Sequence, residues 1–132
     1  MSAPKKILCI GLSAPPEKVG PETVRNAATA EQLRATAKAT IDAAREAGYN
    51  LDAHMYHESE ILDKGVPEME GLLKANEYQG FFIGFGLRGI PEFTVAFEKL
   101  VNLGRTLAPK TPMGFNTKPD PADMMTTFKR AF

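Results

Sequence analysis

The residues best suited to chemistry stand at the ends of apolar runs. Gly84-Phe85-Gly86-Leu87-Arg88-Gly89 follows one such run and precedes a helical pattern. Glycines let the backbone approach a bound group, and the start of a following helix favours an anion. Arg88 is the most informative member, because a cation beside a helix start is unfavourable unless an anion is near. Glu92, one turn on, is one such anion. A ligand carboxylate or phosphate, held by the guanidinium and the amides from Gly86 to Gly89, is the other.

His57 and Glu58 close a second run, LDAHMYH, where a general base could move a proton. Alternation puts His54 and Tyr56 on one face of that strand and Met55 and His57 on the other. A plain solvated strand end fits His57 as well. Asn116-Thr117-Lys118 ends another run. These residues are donors for an anion or carbonyl, and equally ordinary turn formers before a capped helix. Ser13 follows the first run. It lacks the G-x-S-x-G setting of a hydrolase nucleophile and reads as a binding donor. The His-x-x-His spacing of His54 and His57 sends the two rings to opposite faces of a strand, so no metal site is expected. Cys9 lies inside Ile7-Leu8-Cys9-Ile10 and reads as a buried small hydrophobe.

The composition narrows the partners. Sixteen basic residues balance sixteen acidic ones in the 132-residue chain, and no Lys/Arg-rich run occurs. That argues against nucleic acid or an anionic membrane as the main partner. Near-zero charge leaves a homodimer open. One cysteine allows no internal disulfide, and a reducing, cytoplasmic setting is expected. The start of the chain does not read as a signal peptide, and no segment is apolar for long enough to span a bilayer.

These candidate residues need a scaffold, and its elements are legible. Lys6–Leu12 reads as a buried parallel strand. A long polar connection from Ser13 to about Ala30 follows, where a lid or binding loop is expected. Thr29-Ala30-Glu31-Gln32 fits a capping box. The helix behind it aligns Leu33, Ala37, Ile41 and Ala44, and Gly48 ends it. Leu51–His57 is the second strand. Pro67 opens a short helix with Met69, Leu72 and Leu73. Gly80–Gly86 is the third strand. Pro91 opens a helix facing inward with Phe93, Phe97, Leu100 and Val101. Thr111–Asn116 is the fourth strand. Asp120 and Pro121 start a last helix with Met124, Met125, Phe128 and Phe132 on one face.

The alternation β-α-β-α-β-α-β-α implies a single α/β domain over residues 1–132. It has three layers: a four-stranded parallel sheet of order 2-1-3-4 with helices on both faces. The chain order then reverses between the first and third strands, and ligands bind there, outside the carboxyl ends. The loop from Ser13 and the segment Phe85 to Pro91 should face each other.

Over nearly the whole chain this alternation resembles the flavodoxin-like and response-regulator folds. Their motifs are missing: Ser13-Ala14-Pro15-Pro16 is no flavin-phosphate cradle, and the third strand runs to Gly86 in place of a phosphate-accepting aspartate. The run Gly80 to Arg88, with Phe97-Glu98-Lys99-Leu100-Val101-Asn102 and Phe115-Asn116-Thr117, is similar to small flavodoxin-like (Rossmann-like) α/β proteins of bacteria and fungi. That resemblance implies the fold and brings no activity with it.

The reading is a small enzyme of lyase or isomerase type, needing no metal or redox cofactor, for a small anionic or carbonyl-containing metabolite. Ser13, Gly86, Arg88, Gly89, Asn116 and Thr117 would bind it, and His57, Glu58 and Glu92 would handle protons. A non-catalytic ligand-sensing or dimeric interaction module is the alternative. A nucleotide or dinucleotide binder using the glycine turn is the second. Against the latter, the turn follows the third strand, and Asn116 stands where an acidic ribose-binding residue is expected.

Overall fold

The structure is a computed structural model and describes residues 5–12, 35, 38–39, 41–117 and 121–132. Four strands form one sheet: β1 (Lys5–Leu12), β2 (Tyr49–Tyr56), β3 (Gly80–Ile83) and β4 (Met113–Phe115). All neighbours are parallel and the order is β2-β1-β3-β4, as the alternation predicted. The first helical stretch, α1, is described over 41–46. The others are α2 (Val66–Ala75), a single turn α3 (Phe85–Gly89), α4 (Thr94–Leu107) and α5 (Pro121–Ala131).

β1 is buried without a break from Ile7 to Gly11, because helices cover both faces and successive side chains go to opposite cores. Leu8 and Ile10 join Tyr56, Phe81 and Ile83 on one face, under Met69 and Leu73 of α2 and Ala96 and Leu100 of α4. Ile7 and Cys9 join Leu51 and Phe82 on the other, under Ala44 of α1 and Met124 and Phe128 of α5. α2, α4 and α5 therefore present the apolar stripes their spacing implied, and Ile41 and Ala44 do so for α1, while Leu33 and Ala37 lie outside the described residues. On α4 the fully buried positions are Ala96, Leu100 and Gly104, with Phe97 and Val101 at the margin. The predicted capping box and Asp120 lie outside the described residues.

Several boundaries differ from the sequence expectation, each for a hydrogen-bonding reason. The second strand starts at Tyr49, because β1 is paired from Lys5 onward and Lys5 N–H also reaches Gly48 O, at 3.1 Å. Gly48 itself turns with φ +97°, a conformation open to glycine. His57 leaves that strand to cap a 3-10 turn, Glu58–Glu60. A π turn, Ile61–Gly65, joins that to α2, so the helical path begins well before Pro67. The third strand stops at Ile83, not Gly86. Gly84 N–H still donates to Ile10 O at 2.9 Å, but Leu87 N–H closes on Gly84 O at 3.1 Å and winds the chain into α3. The fourth strand is shortened to Met113–Phe115, since Thr111 is turned back onto Ala108.

Both outer strands carry a guanidinium on a main-chain oxygen. Arg45 donates to Leu51 O at 3.2 Å and Arg130 to Phe115 O at 2.9 Å. Such groups blunt a sheet edge against pairing with another strand. Among the described residues no helix is long and apolar enough to cross a membrane.

Candidate functional site

The carboxyl end of the sheet is built around α3. Gly84 lies against Gly11 and Ile10 of β1, so the turn sits where the strand order reverses. Leu87 points into the core and anchors it. Arg88, one residue on, is exposed and reaches sideways: its Nη2 donates to Asn116 O, just past β4, at 2.5 Å. A residue after β3 thus holds the main chain after β4. Gly86 lies within the helical turn and Gly89 at its exposed end.

The far side of this corner is held by α5. Asp123 is nearly buried, and its carboxylate accepts from Thr117 N–H at 2.5 Å and the Thr117 hydroxyl at 3.1 Å. The fully buried Thr127 returns its hydroxyl to Asp123 O at 2.9 Å. Both Thr117 donors are thereby engaged in shaping the turn after β4. Arg88, Asn116 and Thr117 do come together, as the sequence reading requires. Ser13 lies outside the described residues.

The proposed proton-handling residues are spread out. Glu92 sits exposed on a 3-10 turn, Pro91–Phe93, ahead of α4. His57 and Glu58 follow β2, two strand positions from β3, a lateral gap of roughly 10 Å. His57 Nδ1 is engaged with Ser59, 3.0 Å from its hydroxyl and 3.3 Å from its amide nitrogen.

A second polar group lies along β2 and went unselected in the sequence. Asp52, His54 and Tyr56 occupy alternate positions on one face of that strand. His54 Nε2 is 2.8 Å from Asp52 Oδ1, and the Tyr78 hydroxyl donates to Asp52 Oδ2 at 2.7 Å. The Tyr56 hydroxyl donates to Glu68 Oε2 at 2.6 Å. The signal was the pattern D-x-H-x-Y. Active residues of such sheets usually gather at the strand ends, and this group lies along the strand instead.

Both phenols are held well above the ordinary tyrosine range. For Tyr56 the cause is burial first, then the hydrogen bond and charge of Glu68, with Asp52 adding. For Tyr78 it is burial, then the bond and charge of Asp52. Burial also pushes the Cys9 thiol up, with Asp52 adding and Arg45 opposing. Raised folded values favour the neutral forms. For the two phenols that stabilisation is complete below their ordinary range, about pH 10, and is lost as pH climbs through the folded values; for the thiol the loss begins from its own, lower ordinary range. The unfolding midpoint is therefore expected to fall on the alkaline side. An alkaline limb left unchanged in a Tyr56→Phe, Tyr78→Phe double variant would reject that assignment.

At the opposite end of the sheet, a cleft of about 540 Å³ opens between the ends of α2 and α4. It is bordered by Leu73, Lys74, Asn76, Tyr78, Lys110 and Thr111. Its polar side chains serve the fold: Thr111 Oγ1 donates to Tyr78 O at 3.0 Å and Asn76 Nδ2 to Leu72 O at 3.2 Å. Among the described residues no group of three or more His, Cys, Asp and Glu side chains could hold a metal ion.

No family model matches this chain, and neither a curated protein nor a solved structure matches it. The sheet order and all-parallel pairing are compatible with a flavodoxin-like arrangement.

Proposed function

We propose that this chain takes a small anionic or carbonyl-containing metabolite at the carboxyl ends of β1, β3 and β4, with Arg88 as its cationic group. The observation that carries this reading is the placement of Arg88. Its turn is seated at the reversal of strand order, and its guanidinium is steadied against Asn116 O at 2.5 Å. Open α/β sheets bind ligands at that point. The likeness to small bacterial and fungal flavodoxin-like proteins belongs to the same reading.

A lyase or isomerase step on such a ligand needs a base. If His57 or Glu58 supplies it, the ligand must bridge the roughly 10 Å between β2 and β3. The engagement of His57 with Ser59 favours the second reading, a ligand-sensing module without catalysis. The nucleotide reading gains nothing from the glycine turn. Gly84 has an ordinary extended backbone (φ −65°, ψ 151°), and an added Cβ would sit 3.5 Å from its nearest neighbours.

The test is calorimetric titration with a panel of small carboxylates, keto acids and phosphates, preceded by a thermal-shift screen. A charge-assisted contact of about 1.5–3 kcal/mol corresponds to roughly 10- to 150-fold in affinity. Arg88→Gln is expected to lose that much for a ligand of this class, and Arg88→Lys less. Unaltered affinity in Arg88→Gln, or no response to any compound, overturns the proposal.

A further inference from the structure

The row of side chains on β2 has the parts of a proton-transfer centre. We propose that His54 is a general base, with Nδ1 as its working atom and Asp52 and Tyr78 as positioning residues, at a site on the outer edge of β2 that takes small activated acyl compounds. This is independent of Arg88.

The orientation follows from donors and acceptors. A carboxylate only accepts, so the proton shared between His54 and Asp52 sits on Nε2. The lone pair is then on Nδ1. Asp52 cannot swing away freely, because its other oxygen accepts from the Tyr78 hydroxyl. Tyr78 is fixed in turn. Thr111 bonds its carbonyl, and the Lys6 ammonium lies 5.1 Å from its ring centre. The neighbouring β1 positions on the same face, Leu8 and Ile10, belong to the apolar core, so the imidazole stands at the boundary of that core. It is reached from outside: β2 is an outer strand, and the His54 and Asp52 side chains are 28% and 35% exposed. A merely solvated strand edge needs no carboxylate held at both oxygens by a phenol and an imidazole.

The step balances without a cofactor. Nδ1 takes a proton from water as the water oxygen bonds to the acyl carbon. Asp52 stabilises the imidazolium that forms. The adduct then breaks its bond to the leaving oxygen, which takes the proton back, giving acid and alcohol. The phenols of Tyr56 and Tyr78 already donate to carboxylates, so neither is directed at an oxyanion. The substrate must therefore carry a good leaving group, which restricts the class to activated esters.

The chain contains two histidines, so the assignment can be partitioned cleanly. The test is hydrolysis of p-nitrophenyl acetate by the full chain, with circular dichroism to check folding. Nitrogen-15 NMR of the imidazoles reads the tautomer directly. His54→Gln is expected to cut the protein-dependent rate at least about tenfold, from the usual size of general-base effects. Asp52→Asn should lower the rate and shift the His54 tautomer balance, and Tyr78→Phe should do both to a smaller degree. A wild-type rate in His54→Gln overturns the proposal. So does a loss confined to His57→Gln, or a wild-type spectrum with the proton of His54 on Nδ1.

Discussion

Phe128→Ala is expected to remove a large share of the stability of the fold. The Phe128 ring is fully buried between α5 and the sheet. Its centroid lies 5.3 Å from those of Tyr49 and Phe82 and 5.5 Å from that of Phe132. The ring thus ties the start of β2, the middle of β3 and the end of α5 together. Deleting such a ring typically costs about 3–5 kcal/mol, transfer and cavity terms combined. A domain of this size has about 5–15 kcal/mol in total. Urea unfolding should show the unfolding free energy falling by that amount, seen as a lower midpoint at an unchanged slope, with Phe128→Leu intermediate because it leaves a smaller void. A loss below about 1 kcal/mol in Phe128→Ala would mean that the aromatic cluster does not seat α5.

Gly80→Ala is the second, and it acts through excess volume. Gly80 opens β3 on the α5 side of the sheet, beside Ile7 of β1. An added Cβ would lie 2.6 Å from two ring carbons of Phe132 and 2.8 Å from Ile7 Cδ1. A Cβ added to Gly114 on β4 would lie 2.7 Å from the same ring. The Phe132 ring therefore lies on two strands that carry no side chain beneath it. Overpacking of this kind costs about 1–3 kcal/mol. Ile7 Cδ1 is the end of a flexible side chain and can yield, so the ring is the main obstacle. In a Phe132→Ala background the cost of Gly80→Ala should shrink. A double-mutant cycle reads that coupling, and strictly additive losses would contradict the packing.

The sheet order was legible because apolar runs alternate with helical stripes, and right-handed crossovers leave few ways to arrange them. Helix faces were legible for the same reason. Met69, Leu73, Leu100, Met124 and Phe128 are buried wherever the helical period put them on the inner side. Strand ends were less so. Nothing local in GFFIGFG says that pairing stops at Ile83. Leu87 N–H bonding to Gly84 O decides it, once Gly84 has docked on β1.

The candidate sites divide in the same way. The sequence offered Arg88 a partner one turn away, Glu92, or a ligand. The structure adds the carbonyl of Asn116, 28 residues on. His54 and Tyr56 were correctly placed on one face, but the bond that makes Asp52 and His54 a coupled pair with Tyr78 spans 26 residues.

From sequence alone, the kind of each element and the face it buries were determined, because propensity and periodicity act over neighbouring residues. Tertiary structure decided where strands stop and which polar groups meet. Those outcomes depend on which backbone and side-chain partners two separately formed elements present to each other when they pack.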